Sequence, residues 1–283
     1  MSDDLLSMFA ALDEVDDNRT HYIRSPLHYP GCKDSSLDHI LSYLPYMNTF
    51  CDVFAGSGSM TLGRRSSPLE VFNDRDSGIT SFFRCFLNRD TTDQLIEHIK
   101  LIPHGRELFY YVRDNWAKQN DDVIRAAMFY SMIQQSFGGK GAHFGRVIKG
   151  KSDIWRKVHA GLDLFPMIHE RFKKIQIENL DWRIMLKDFD SYETVFYLDP
   201  PYLGLQPYRH TMTKADHVLM CETIFNLKGF VALSGYDDND VYDRFPWDAK
   251  HSFTIKDNMA RVDDSSKSVR EQRQEHLWIK EVE

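Results

Sequence analysis

Residues 194 to 202 read Thr-Val-Phe-Tyr-Leu-Asp-Pro-Pro-Tyr. Val195, Phe196 and Leu198 suit a buried strand, and Pro200 and Pro201 cannot extend its hydrogen-bond ladder. The chain therefore leaves the sheet where Asp199 sits, at a strand's carboxyl end, the side on which open α/β sheets bind ligands. An ionised carboxylate accepts hydrogen bonds, and the prolines have no N–H, which leaves the Pro200 carbonyl able to face a ligand. Two acceptors converging on one amino group suit an exocyclic base nitrogen, with Tyr202 placed to stack on the base. The plainer alternative is an ordinary Pro-Pro turn carrying Asp199, with Tyr202 on the surface.

A second signal lies 147 residues upstream of Asp199, in Phe50-Cys51-Asp52-Val53-Phe54-Ala55-Gly56-Ser57-Gly58-Ser59. A short apolar strand runs into small residues, and Gly56 and Gly58 permit the tight turn and close backbone approach that a nucleotide-like ligand needs. Alone, such a pair more often marks an ordinary turn than a site. The next apolar run, Leu69 to Asn73, ends at Asp74, at the spacing where an acid can take a ribose hydroxyl pair. No Gly-Lys-Ser/Thr follows the glycines, which disfavours a phosphate-cradling loop.

With these motifs placed, the chain resembles the Dam-type DNA adenine-N6 methyltransferases of bacteria and phages. The Phe54 to Gly58 loop and the Asp199-Pro200-Pro201-Tyr202 run carry the resemblance. Tyr29-Pro30-Gly31-Cys32-Lys33 is similar to the family's N-terminal element, with Cys32 in place of the usual second glycine. Phe137-Gly138-Gly139 and His143-Phe144-Gly145-Arg146 resemble its DNA-contacting loop, and Leu233-Ser234-Gly235-Tyr236 a later strand end; together the matches run from about residue 24 to 280. The resemblance implies a Rossmann-like α/β fold, S-adenosylmethionine as cofactor, and transfer of its methyl group to N6 of a flipped-out adenine in double-stranded DNA. It also implies that Asp52 and the Phe54, Ala55, Gly56, Gly58 and Ser59 loop hold the methionine part of the cofactor. Lys33 would then hold its carboxylate, Asp74 its ribose and Asp181 its adenine. Asp181 reads equally well as a helix N-cap, and Tyr29 as a core aromatic; Ser234 and Tyr236 would line the base pocket.

The chemistry asks little of the protein beyond placement. Adenine's amino lone pair is delocalised into the ring, so hydrogen bonds from that amino group to Asp199 and the Pro200 carbonyl would free it for in-line attack on an activated methyl. Methylation at cytosine C5 would need a nucleophilic cysteine, and Cys32, Cys51, Cys85 and Cys221 sit in no such motif. Two other readings stay open: methylation of cytosine N4 or of RNA, and a catalytically silent DNA-binding decoy that kept the fold. Intact glycines, Lys33 and the complete Asp-Pro-Pro-Tyr run speak against the decoy.

Composition bounds the partners. With 283 residues, 42% hydrophobic and 27% charged, the chain is that of a soluble globular protein. No apolar run approaches the roughly 18 residues of a membrane span, and the scattered cysteines suggest neither zinc nor disulfides. A cytoplasmic protein without a metal, a monomer or weak dimer, is expected. A net charge of −7 argues against nucleic acid, but its distribution does not. From Gly138 to Lys174 nine Lys or Arg face three acids, whereas six acids and no base precede Arg19. Lys140, His143, Arg146, Lys149 and Lys151 are the candidate DNA contacts, brought to a groove by a mobile glycine-rich loop. A solvated helix face is the competing explanation for that charge.

Positioning these residues takes a mostly parallel sheet. Strand-like runs at 50–54, 69–73, 174–179, 194–198, 229–233, 250–255 and 276–280 alternate with helical patterns. The last two would pair as an antiparallel hairpin at one sheet edge, with Lys256 to Gln274 a long, polar, mobile link. Residues 20–89 and 173–283 form the expected catalytic domain. Residues 90–172 form a helical target-recognition insertion, in which Asp121 caps a helix that ends at Gly138-Gly139. Residues 1–19 would be an acidic arm with a short amphipathic helix over residues 4–15.

Overall fold

The computed structural model describes residues 23–146, 154–203, 209–236, 241–256, 261–262, 268–269 and 272–282. The acidic arm, Lys149 and Lys151 lie outside the described residues. The strands are β1 (Thr49–Asp52), β2 (Leu69–Asn73), β3 (Gln176–Glu178), β4 (Thr194–Leu198), β5 (Phe230–Tyr236), β6 (Ala249–Lys256), β7 (Arg261–Val262), β8 (Ser268–Val269) and β9 (Gln272–Lys280). The helices are α1 (Leu37–Leu41), α2 (Ser59–Gly63), α3 (Ser77–Arg84), α4 (Arg89–Lys100), α5 (Arg106–Asn115), α6 (Asp122–Gln135), α7 (Ile154–Leu162), α8 (Phe165–Phe172), α9 (Trp182–Asp188) and α10 (Lys214–Ile224).

Seven strands form one sheet in the order β3-β2-β1-β4-β5-β9-β6. The first five are parallel, and β9 runs antiparallel between β5 and β6. Strand order reverses between β1 and β4, which makes their shared carboxyl end the topological switch point of a doubly wound, Rossmann-like sheet. The expected hairpin is present, but its second arm is the inner one. Burial explains the choice: Leu277, Trp278 and Ile279 of β9 are all buried, whereas β6 is polar enough to take the edge. The link between the arms, expected to be mobile, contains a short ladder in which Arg261 pairs with Val269 and Val262 with Ser268.

Alternation along the strands sorts the core into two faces. Cys51, Val71, Phe196 and Leu233 face Trp182, Met185 and Leu186 of α9 and Met220 and Ile224 of α10. On the opposite face, Phe50, Val195 and Tyr197 meet Leu37, Ile40 and Leu41 of α1. Phe72 on that same side enters an apolar cluster with Phe82 and Phe83 of α3, Phe129 of α6 and Phe165 and Phe172 of α8. Among the described residues, 90–172 contains helices and one isolated bridge, between Ser136 and Phe144. It has no core of its own: a Cβ on Gly78 of α3 would lie 2.4 Å from the Phe129 ring, so α6 seats directly on the helix that covers β2. Asp121 caps α6, its carboxylate accepting from Val123 N at 2.8 Å and Ile124 N at 2.9 Å.

A buried ion cluster fixes those helices to the sheet. Glu70 of β2 accepts from Arg64 Nη1 at 2.8 Å and from Arg171 Nη2 at 2.6 Å, and Arg171 also donates to the Thr61 carbonyl at 2.7 Å. Arg64 lies over the Phe50 ring, 3.9 Å from its centroid. Arg171 was one of the nine bases counted toward a DNA surface, and it is internal. Lys173, another, is tied to Glu170 at 2.5 Å. Part of the basic excess thus serves structure, as two guanidiniums need one buried carboxylate. Replacing Glu70 by Gln leaves both guanidiniums uncompensated, and a loss of about 3–5 kcal/mol is expected in denaturant unfolding; a loss below about 1 kcal/mol would mean the cluster does not anchor the helices.

Candidate active site

Parallel pairing of β1 with β4, Asp52 opposite Tyr197, brings the two sequence motifs to one sheet edge. There the ends of β1, β2 and β4 surround a cavity of about 340 Å3. Tyr29, Lys33, Asp52, Phe54, Ala55, Gly56, Ser59, Asp74 and Asp181 all border it, as do Asp199 and Pro201. Gly58 stands just behind the wall. Its φ is +78°, and a Cβ would come within 2.8 Å of the Phe83 ring, so glycine is required there both for conformation and for space.

The carboxylates at the strand ends hold the loop that separates them. Asp74 Oδ2 accepts from Gly56 N at 2.8 Å, and its Oδ1 from Asp76 N at 2.7 Å. Asp52 Oδ2 accepts from the Thr61 hydroxyl at 2.8 Å. Burial pushes Asp52 up to about 7 despite the Thr61 hydrogen bond, with Asp199 and Asp74 adding to the rise. Burial likewise pushes Asp74 up to about 7 against its backbone hydrogen bonds. Two carboxyl groups with raised proton affinity on one cavity wall suit a cationic or hydroxyl-rich ligand. Asp181 fills the capping role, accepting from Arg183 N at 3.0 Å, while its other oxygen takes Arg75 Nη1 at 2.6 Å on the cavity rim.

Asp199 belongs to a network that the sequence foreshadows only in part. Lys33 Nζ is 2.6 Å from Asp199 Oδ2 and 3.1 Å from both Glu275 Oε1 and the Tyr202 hydroxyl. Lys33, expected at a cofactor carboxylate, thus borders the cavity but spends its ammonium on two protein carboxylates. The Tyr202 hydroxyl lies 2.7 Å from Asp199 Oδ1 and 2.9 Å from Glu275 Oε1, and its ring packs against Tyr236 at 4.4 Å between centroids. Tyr202 is buried and does not border the cavity, so the expected stacking face is turned inward. Pro200 is likewise buried behind the wall. Ser234, expected in a base pocket, donates to Glu275 Oε1 at 3.0 Å. Burial raises Asp199 above the usual carboxylate range, the Lys33 ammonium opposes that rise and Glu275 adds to it.

Glu275 was missed. Its signal was a carboxylate opening the apolar run His276-Leu277-Trp278-Ile279, which is costly on an inner strand unless paired. Tyr197 was missed as well: it borders the cavity, and its buried hydroxyl lies beside Ser234. Also absent from the reading were Arg209 to Met212, which border the cavity after the Asp-Pro-Pro-Tyr turn. Arg209 reaches from there to the helical region, 4.3 Å from the Trp116 ring centroid.

The glycine-rich loop after α6 carries exposed Lys140, His143 and Arg146. Expected to be mobile, it is instead tied at its base: Phe137 N donates to His143 O and Gly145 N to Gln135 O, both at 2.8 Å. Gly139 has φ +70°, and a Cβ there would meet the His28 carbonyl at 1.9 Å, which seats the loop against the segment leading to Tyr29. None of the three side chains borders the cavity, and Phe137 in the same loop is 75% exposed.

A doubly wound sheet with a ligand cavity at its switch point, walled by a Gly-x-Gly loop and an Asp-Pro-Pro-Tyr turn, defines the class. The chain belongs to the D12 class N6 adenine-specific DNA methyltransferase family, whose model matches residues 29–219. It is similar to the modification methylase LlaI of Lactococcus lactis subsp. lactis, 24% identical over 190 residues, which is 64% of this chain and 30% of that protein. It is also similar to the modification methylase StsI of Streptococcus sanguinis, 32% identical over 108 residues, 37% of this chain and 15% of that protein. The matched part thus spans a third or less of the length of these relatives. A solved structure from Pyrococcus horikoshii, provisionally assigned as an RNA methyltransferase, overlays along the whole of both chains with 10% identity and a TM-score of 0.40.

Raised carboxyls at the cavity make stability depend on pH with a defined sign. A carboxyl whose folded value of about 7 exceeds its unfolded one stabilises the fold fully below pH 3.8, and that contribution is lost as pH rises through 7. Asp52→Asn mimics the protonated form. Its stability relative to the parent, measured by urea unfolding without ligand, is expected to increase from pH 5 to pH 8; a difference constant across that range would show Asp52 to be ionised normally.

Proposed function

We propose that the protein transfers a methyl group from S-adenosylmethionine to N6 of an adenine in double-stranded DNA. The observation that carries this reading is the Asp199 carboxylate, which borders the cavity within a family-matched stretch of chain. The cavity suits the cofactor on chemical grounds. Asp74 can accept from ribose hydroxyls, and the Gly56 backbone permits close approach. The carboxylates of Asp52, Asp74 and Asp199 on the cavity border complement a sulfonium.

When bound, S-adenosylmethionine supplies a methyl group activated by a positively charged sulfur. The chain's own residues do the rest. Asp199 accepts a hydrogen bond from the adenine amino group, which draws the nitrogen toward a tetrahedral shape and exposes its lone pair. The same carboxylate stabilises the positive charge that develops on nitrogen, and it is the nearest acceptor for the proton that must leave. Lys33 holds Asp199 Oδ2, which leaves Oδ1 as the oxygen to offer once the Tyr202 hydroxyl yields it. That exchange would turn the Tyr202 ring out of its inward position toward the base, in keeping with the stacking expected of it.

The family match and the exposed basic side chains of the glycine-rich loop support DNA as the substrate. Lys140, His143 and Arg146 can meet phosphates there, with Lys149 and Lys151 proposed to extend that contact.

Incubating the purified protein with duplex DNA and S-adenosylmethionine, followed by methylation-sensitive sequencing, is expected to show N6-methyladenine in one short context. Modified cytosines instead would overturn the reading. Asp199→Ala is expected to lower the transfer rate by at least about 100-fold, with cofactor affinity by calorimetry nearly unchanged. Retained activity in that variant would remove Asp199 from the mechanism.

A further inference from the structure

Glu275 is 1% exposed, belongs to neither sequence motif, and lies outside the stretch matched by the family model. It arrives on β9, where pairing with β5 sets it opposite Tyr236, at the carboxyl end of the parallel strands. Its Oε1 collects three donors: Lys33 Nζ at 3.1 Å, the Ser234 hydroxyl at 3.0 Å and the Tyr202 hydroxyl at 2.9 Å. Two of those three also touch Asp199. A phenol has one hydrogen, so Asp199 and Glu275 compete for the Tyr202 proton while sharing one ammonium.

We propose that Glu275 is a positioning residue for methyl transfer: across Lys33 and Tyr202 it fixes the Asp199 carboxylate and gives the buried site a second negative charge. The inference rests on the function proposed above. Among the described residues one ammonium faces two carboxylates, and with both acids ionised that trio carries a net charge of −1. That charge opposes the sulfonium and the positive charge that grows on the adenine nitrogen, in a setting where burial weakens solvent screening. It also makes Asp199 a better hydrogen-bond acceptor than a simple pair with Lys33 would, because a like charge across the ammonium offsets part of the cation's pull. Lys33 serves as the hinge of this arrangement, and the Tyr202 hydroxyl is the group that the substrate amino group must displace from Asp199 Oδ1.

The charged and titratable groups facing the pair come from every side of the site. Lys33 lies before α1, Asp52 ends β1, Tyr197 points from β4, and Tyr202 follows the turn. Asp52, with a value of about 7, titrates in the same range as the transfer reaction would be assayed. It is present in parent and variant alike, so a difference between them reports Glu275.

The test is the pH profile of the single-turnover rate of adenine methylation, at saturating S-adenosylmethionine and DNA, for the parent and Glu275→Gln. Glutamine keeps an oxygen for Ser234 and Lys33 and removes the charge. The rate at saturating cofactor is expected to fall about tenfold, with S-adenosylmethionine affinity, which loses one charge facing the sulfonium, weakened less than the rate. Removing the like charge lowers the pH at which Asp199 ionises, so the acid limb is expected to move down by about one unit. A merely structural Glu275 would lower the rate without moving the limb, and that result overturns the inference. If Glu275→Gln does not fold, Glu275→Asp is read instead: it retains the charge one methylene further away, and a smaller shift in the same direction is expected, its absence counting against the inference. A parent protein that methylates no adenine defeats the proposed function, and this inference with it. A methylating parent with an unshifted variant defeats this inference alone.

Discussion

The site depends above all on the parallel pairing of β1 with β4. Neither motif has a cavity of its own: the glycine loop is a turn, and Asp199 is an acid at a strand end. Register does the joining. With Thr49 opposite Thr194 and Asp52 opposite Tyr197, both strands run out at the same height and their last acids face one space. Any slip by one residue would send Asp52 and Tyr197 to the opposite face. The apolar alternation that fixes the register, Phe50 and Val195 toward α1 and Cys51 and Phe196 toward α9 and α10, is therefore as important to the cavity as the residues that line it.

Much of this was legible in the chain itself. The runs at 194–198 and 69–73 coincide with β4 and β2, because each is apolar, β-branched or aromatic and ends at proline or an acid. Asp121 announced α6 by the chemistry of capping. What stayed hidden depended on pairing at long range. Glu275 gave no spacing to read, since its partners are 242 and 73 residues away, Lys33 and Tyr202. Arg171 looked like surface charge because sequence shows no difference between a guanidinium facing DNA and one facing Glu70. The glycine-rich loop read as mobile for a similar reason: glycine signals permitted backbone angles, and here those angles serve close packing on His28 rather than freedom.

The helical region departs from the usual notion of an inserted domain. Its aromatic residues merge with those of α3 into one cluster, and Glu70 grips α8 from the sheet side. Arg209, on the cavity border, bridges from there to Trp116 of the helical region.

The position of β9 bears on how the protein reaches its working form. Five parallel strands and their helices can collapse around aromatic contacts before β9 is available, but Lys33 then has Asp199 alone for company. Antiparallel docking of β9 onto β5 joins residues 231–236 to 275–280 and requires the intervening chain to close on itself, a non-local step of the kind that slows folding. That docking brings Glu275, the second carboxylate, to Lys33. A chain short of Glu275 would leave Asp199 as the carboxylate that holds the Lys33 ammonium.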